Sequence, residues 1–376
     1  VQRINLPPRR DYEQRLESIG FTYYRINGKL YWDESVCYQF TRSQIDIIDD
    51  ATQELHRLCL KAVEEIIRNQ WFVKLGVPNW IVPQIISSWE RNDPSIYGRF
   101  DLAWNGSGHP KLLEYNADTP TALLEASVAQ WYWLQDCFPL ADQFNSIHEK
   151  LINFWQNFAY RNLPVYFSCC SDNLEDLGNV AYLRDTAIQG GCLARHIFIE
   201  DIGWDQERKE FVDLQGYQIP NLFKLYPWEW LLKDEFGAYL TQLKMNILEP
   251  AWKMLLSSKG ILAVLWQLFE GHPNLLPAYF EANALKTNFV RKPLFSREGN
   301  NIVINRGSHV IETGGRYGQE GFVYQAFHEL PQFAENFPVI GSWVVNHVSA
   351  GIGIREDNNP ITTDTSRFVP HYFVED

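Results

Sequence analysis

The chain has 376 residues, enough at roughly 100–200 residues per domain for two or three domains or one elaborate one. Hydrophobic residues make up 45% and charged residues 21%, which excludes a disordered chain, and 14 Trp within an aromatic share of 15% supply a large rigid core. Lys plus Arg number 33 against 46 Asp plus Glu, a formal net charge of −13. That disfavours nucleic acid as a partner and suits amines and metal ions, although solubility alone also explains it.

Residues 1–11 carry Arg and Pro and no apolar core, so no signal peptide is expected. Ile45, Ile48, Leu55, Leu58, Val63 and Ile66 follow helical spacing and predict a helix over 43–68 with Ser43 as its cap. Residues 96–104 and 111–116 read as two arms of a hairpin about the turn Asn105-Gly-Ser-Gly108. Helices are expected over 121–135 and 142–159. From 163 onward a strand (165–169), a helix (174–188) and a strand (196–200) predict a small parallel α/β unit, without the Gly-x-Gly-x-x-Gly of a dinucleotide site. A helix over 252–269 precedes strands at 288–292, 302–305, 322–327, 339–345 and 350–355, and the whole reads as α+β. The longest apolar run, 261–269, contains Gln267 and is too short to span a membrane. Six dispersed cysteines, with no Cys-x-x-Cys pair, disfavour a disulfide scaffold or zinc site and suit a reducing cytoplasm.

Chemistry-bearing residues concentrate in two places. On the hairpin, residues two apart share a face, so Arg99 goes with Asp101 and Glu114 with Asn116. If those faces coincide, hard oxygen ligands suited to Mg²⁺ converge; the other reading is a salt-bridged surface. In Lys292-Pro-Leu-Phe-Ser-Arg-Glu-Gly-Asn-Asn301, a strand delivers Lys292 to a tight loop holding Arg297 and Gly299. Such a loop is an anion-binding nest or an ordinary glycine turn. Lys259, Glu229, Gln325 and Arg355 are weak signals singly. No His-Glu-x-x-His and no Gly-x-Ser-x-Gly occurs, which sets aside zinc peptidases and serine hydrolases of those types.

Several longer strings together resemble one family. They are Tyr31-Trp-Asp-Glu34, Gly98-Arg-Phe-Asp-Leu-Ala103, Glu114-Tyr-Asn-Ala-Asp-Thr-Pro-Thr121, Phe223-Lys-Leu-Tyr-Pro-Trp-Glu229, the 292–299 string, Ala350-Gly-Ile-Gly-Ile-Arg-Glu-Asp357 and Ser366-Arg-Phe-Val-Pro-His371. In order along nearly the whole chain, they resemble the synthetase domain of glutathionylspermidine synthase and its stand-alone acid–amine ligase relatives. The resemblance implies a circularly permuted ATP-grasp fold with a mobile lid and an inserted Rossmann-like lobe. The implied divisions are 1–162, 163–249 and 250–376, with the lid at 285–322.

It also implies an ATP-dependent ligase joining a carboxylate to an amine through an acyl phosphate. By motif, Asp101, Glu114 and Asn116 match magnesium ligands. Lys259 and Lys292 match the lysines on the ATP phosphates, and Gln325 the adenine hinge. Arg297 matches a lid arginine near the transferred phosphoryl group, and Arg99 and Arg355 match arginines near the reacting carboxyl. Asp118, Thr119, Thr121 and Glu229 fall in the substrate region. Glutathione-binding members place serines after Glu-x-Asn, where this chain has Asp118-Thr-Pro-Thr121, so the acid is expected to be a glutathione-like peptide rather than glutathione by necessity. The bifunctional members carry an N-terminal amidase domain with no counterpart in this sequence, so product hydrolysis is not expected. The expected partners are small molecules, a peptide carboxylate and a polyamine-like amine. The alternative is a catalytically idle ATP-grasp protein that binds nucleotide or amine as a sensor or partner subunit.

Overall fold

The structure is a computed structural model and describes residues 1–242, 244–363 and 365–376. Its three larger sheets are organised around the hairpin. Tyr97–Ala103 and Lys111–Asn116 form one side of an antiparallel five-stranded sheet that continues through Phe337–Val345, Val348–Asp357 and Arg367–Val369. A second antiparallel sheet runs Ala278–Tyr279, Phe322–Ala326, Phe289–Pro293, Val303–Arg306, His309–Glu312. The third is wholly parallel, in the order Asn246–Leu248, Asn221–Lys224, Val165–Cys169, Ala194–Phe198. Helix Leu174–Gln189 makes the crossover from Val165–Cys169 to Ala194–Phe198, the arrangement that strand–helix–strand order requires. The second of these strands lies two residues earlier than expected, and a 3₁₀ turn, Ile199–Asp201, takes up its expected end.

The long helix runs Arg42–Asn69, and its cap is Thr41 rather than Ser43. Thr41 Oγ1 accepts from the Gln44 amide while Gln44 Oε1 accepts from the Thr41 amide, a reciprocal capping box. Ser43 sits inside the first turn and donates to Asp376 instead. The apolar stripe of this helix packs in one core with Ile340, Val344, Ile352 and Ile354 of the first sheet.

Three expected helices differ in extent. The 121–135 segment becomes a π turn, Glu125–Ala129, followed by helix Gln130–Cys137, because Ala122 at φ 67° cannot begin a right-handed helix. The 142–159 segment narrows to Ile147–Gln156, since Asp142 is drawn into a bridge with Phe373. The 252–269 segment splits into Met254–Ser257 and Ile261–Leu268. At the break Ser258 is extended, and the Lys259 amide donates to Leu294 O at 2.7 Å rather than to its own helix. Gly260 permits that approach, since a Cβ there would lie 3.0 Å from Leu75 and 3.1 Å from Phe280.

Trp32, Trp133, Trp155, Trp228 and Trp343 are fully buried, and all six cysteines are free. Among the described residues, no helix is long and apolar enough to cross a membrane.

Candidate active site

Residues of the two antiparallel sheets, together with Cys170, Leu225 and Tyr226 just beyond the ends of two parallel strands, line a cleft of about 1070 Å³. Each residue singled out from the sequence lines it: Arg99, Asp101, Glu114, Asn116, Asp118, Thr119, Thr121, Glu229, Lys259, Lys292, Arg297, Gln325 and Arg355.

The hairpin register pairs Asp101 with Glu114 and Arg99 with Asn116, so all four side chains stand on one face. Arg99 Nε donates to Asp101 Oδ1 at 2.8 Å, and Arg355 Nη2 donates to Asp101 Oδ2 at 2.7 Å. Gly341, opposite Asp101 on the next strand, leaves room for Arg99 to lie across the sheet; a Cβ there would stand 2.8 Å from Arg99 Cδ. Arg99 Nη1 also holds the Thr121 carbonyl at 2.6 Å. Burial alone would lower both guanidinium groups. Asp101 outweighs it at Arg99, which is held up, whereas Arg355 is pushed down because the like charge of Arg99 adds to burial. Asp101 is therefore the anion between two arginines, both of its oxygens engaged, and not simply an open oxygen donor beside Glu114.

Glu114 faces lysines. Lys259 Nζ lies 2.9 Å from Glu114 Oε2 and 3.0 Å from Ser296 O. Lys292 Nζ donates to Leu113 O at 2.7 Å and Gln325 Oε1 at 2.8 Å. Burial works against the Glu114 charge, but Lys259 and then Lys292 hold its carboxyl well below the usual carboxylate range. Burial pushes Lys292 down to about 8, with Glu114 opposing and Lys259 adding repulsion. Gln325, expected at an adenine hinge, is buried and brackets Lys292 to the hairpin, its Nε2 donating to Leu112 O at 2.9 Å.

Among the described residues, no three His, Cys, Asp or Glu side chains gather as a metal site. Glu114 and Asn116 nevertheless offer two hard oxygen donors on one face, with Asn116 Nδ2 3.3 Å from Glu114 Oε1. That set fits Mg²⁺, which commonly takes one or two protein oxygens and completes its shell from phosphates and water.

Asp118 is tied down on both oxygens, by Lys224 Nζ at 2.7 Å and the Trp228 amide at 2.9 Å, and is 3% exposed. It fixes the cleft wall to the parallel sheet. Arg297 Nη2 donates to Thr119 Oγ1 at 2.5 Å and Thr119 O at 3.1 Å, and its guanidinium sits 5.7 Å from the Trp230 ring centroid. Burial raises the Glu229 carboxyl, with Arg297 pulling the other way.

Two carboxylates in the cleft escaped the sequence reading. Glu175 and Asp176 occupy the first turn of Leu174–Gln189 and line the cleft near Thr121. Burial raises both, Asp176 to about 7 with the Glu175 charge adding to the shift. Their sequence signal, Asn173-Leu-Glu-Asp176, is also that of an ordinary capped helix start with acids complementing its dipole, and Asn173 does cap it.

The glutathionylspermidine synthase preATP-grasp family model matches residues 3–374. A Haemophilus influenzae protein named "Putative acid–amine ligase" is 42% identical, covering 98% of this chain and 98% of that one. The chain belongs to the glutathionylspermidine synthase family. Members also similar to it are a trypanothione synthetase of Crithidia fasciculata, 27% identical over 84% of this chain, and the bifunctional glutathionylspermidine synthetase/amidase of Escherichia coli, 24% identical over 93%. The chain spans 53% and 61% of those two longer relatives. These family members carry the names of C–N bond-forming ligases. A glutathione synthetase-like effector of Globodera pallida in apo form superposes with a TM-score of 0.60 at 12% identity, covering 97% of this chain and 96% of that one. The fold is thus mixed α/β and similar to a glutathione synthetase-like protein.

Proposed function

We propose that the chain is an ATP- and Mg²⁺-dependent acid–amine ligase that joins a glutathione-like peptide carboxylate to a polyamine-like amine through an acyl phosphate. The observation that carries this reading is Glu114, kept ionised beside Lys259 and Lys292 in a cleft that also holds the Arg99–Asp101–Arg355 cluster. Lys259 and Lys292 neutralise phosphate charge, and Arg297 follows the transferred group. Glu114 and Asn116, with the remaining lone pairs of Asp101, hold the ion. When bound, that ion supplies charge compensation on the phosphate oxygens. Arg99 and Arg355 orient the reacting carboxylate, with Thr119 and Thr121 beside it. Glu229, Glu175 and Asp176 attract the cationic amine. Gln325 keeps Lys292 aimed at the nucleotide, and the adenine edge lies near it.

The same reading takes the fold as a circularly permuted ATP-grasp with divisions 1–162, 163–249 and 250–376. The early position of Glu114-Tyr-Asn116, ahead of both lysines, supports the permutation. A cytoplasmic location fits the six free cysteines. A panel of small peptides against amines, read by ADP release and product mass, tests the function. ADP release that ignores the added amine, with no amide of the right mass, rejects it.

Two expectations follow from this reading. Residues 285–322 act as a lid over a water-labile intermediate, so their amides should gain hydrogen-exchange protection with an ATP analogue. Equal protection with and without the analogue removes the lid. The amine KM should rise with salt more than the peptide KM, because the Debye length falls from about 10 Å at 0.1 M to about 3 Å at 1 M. Glu229→Gln should raise the amine KM by roughly threefold to tenfold and leave the ATP KM within about twofold, the size expected of one partly screened charge. An unchanged amine KM moves the amine away from Glu229.

A further inference from the structure

Beneath the cleft lies a carboxyl that the ligase reading does not use. Glu125 opens the π turn Glu125–Ala129 and is fully buried. Among the described residues no lysine, arginine or histidine forms an ion pair with it. Its neighbours are tyrosines. Tyr31 Oη donates to Glu125 Oε1 at 2.8 Å, and Tyr23 Oη lies 3.5 Å from Oε2. Asn179 Nδ2 approaches Tyr23 Oη at 3.4 Å, and Asn179 Oδ1 accepts from the Leu123 amide, which ties this pocket to the segment just before the π turn.

Tyr31 joins the buried carboxyl to the cleft. It lines the cleft with Arg99, Thr121 and Glu175 while its hydroxyl is bonded to Glu125. Its backbone is anchored on both sides: the Tyr31 amide donates to Tyr24 O and the Tyr31 carbonyl accepts from Phe368. A hydroxyl that donates to a carboxylate keeps its own lone pairs for a donor on the other side. A purely structural partner for Tyr31 would be a glutamine, which carries no charge to bury; a buried carboxyl without a cation suits a group whose task is to take up a proton.

We propose that Tyr31 and Glu125 form a proton relay for the attacking amine. This rests on the ligase reading above. Before attack, one proton of the bound ammonium passes to Tyr31 Oη while the Tyr31 proton passes to Glu125, leaving a neutral amine, neutral tyrosine and protonated Glu125. The amine nitrogen then bonds to the acyl carbon as the carbon–oxygen bond to phosphate breaks; phosphate leaves with the bonding pair and takes the second nitrogen proton. Tyr31 is the catalytic residue, touching the amine. Glu125 acts through it. Burial, reinforced by the Glu175 charge and opposed by the Tyr31 hydrogen bond and Arg99, moves the Glu125 carboxyl up to about 8. Glu125 is therefore available as a base from about pH 8 upward, where spermidine is still largely cationic, and there it is a stronger base than an ordinary carboxylate. The charged and titratable groups acting on the pair are Tyr23, Arg99, Arg355 and Glu175.

The test compares spermidine, which is cationic near neutral pH, with hydroxylamine, which is largely neutral and needs no base before it attacks. Each is supplied with ATP, Mg²⁺ and a peptide panel that includes glutathione, and amide and hydroxamate are measured by mass. Glu125→Gln and Tyr31→Phe should raise the hydroxamate-to-amide ratio by roughly 100-fold over wild type. The ratio is internal to whatever fraction of enzyme is folded, so a partial loss of stability does not move it. An unchanged ratio, or loss of both products together in both variants, overturns the relay while wild-type activity keeps the ligase reading. A wild-type protein that releases no ADP with any peptide and amine overturns both.

Discussion

Glu114→Ala should lower kcat by about 10²–10³-fold while the protein stays folded, with a stability change of no more than about 1 kcal/mol. The Glu114 side chain is about a quarter exposed on the cleft wall, at 26%, and its direct ion pair is with Lys259 at 2.9 Å. Under the proposed function, removing it deletes one of the oxygen donors, with Asn116 and Asp101, that would hold the ion. It also takes away the charge that opposes the downward push of burial on Lys292. Lys292 should then titrate lower still, so the remaining activity should fall off at lower pH than in the wild type. The measurement is steady-state kinetics across pH, with urea unfolding of the same preparation. A kcat within about threefold of wild type would remove Glu114 from the catalytic apparatus.

Asp101→Ala should behave differently, losing roughly 3–5 kcal/mol of stability as well as turnover. The carboxylate is 3% exposed and is shared by two arginines, at 2.8 Å and 2.7 Å. Its removal leaves two buried cations against each other, and Arg355 is already pushed down by burial and by Arg99. Denaturation without metal or nucleotide decides the point. A side chain that served only as a metal ligand would leave metal-free stability unchanged or improved, whereas a counter-ion to Arg99 and Arg355 would not. Retained stability in metal-free buffer would show that the arginines find other partners.

The contrast between these two carboxylates marks the limit of what the strand pattern could say. Alternation put Asp101 with Arg99 and Glu114 with Asn116, left open whether the two faces coincide, and read both carboxylates alike; the strand register brings them onto one face. Their differing partners come from other parts of the chain. Arg355 is 254 residues from Asp101 in sequence, and Lys259 reaches Glu114 from a break inside a segment that reads as one continuous helix. Asp118 looked like a substrate contact because it follows Glu-x-Asn, yet both its oxygens are committed to Lys224 and the Trp228 amide.

The sequence by itself determined the local geometry: the hairpin and the alternation along each of its arms, the strand–helix–strand unit that becomes the parallel sheet, and the family resemblance that the relatives support. These rest on periods of two and 3.6 residues and on contiguous strings, which act over a few residues. The tertiary structure alone decided which charges neutralise one another, where the 252–269 helix breaks, that the two arms of the hairpin share a face, and that Glu175, Asp176 and Tyr31 border the same cleft with Glu125 bonded behind Tyr31. Those outcomes depend on desolvation and on side chains brought together from distant segments. A carboxylate at a helix start reads the same in sequence whether it faces water or a cleft; only burial and its neighbours tell the two apart.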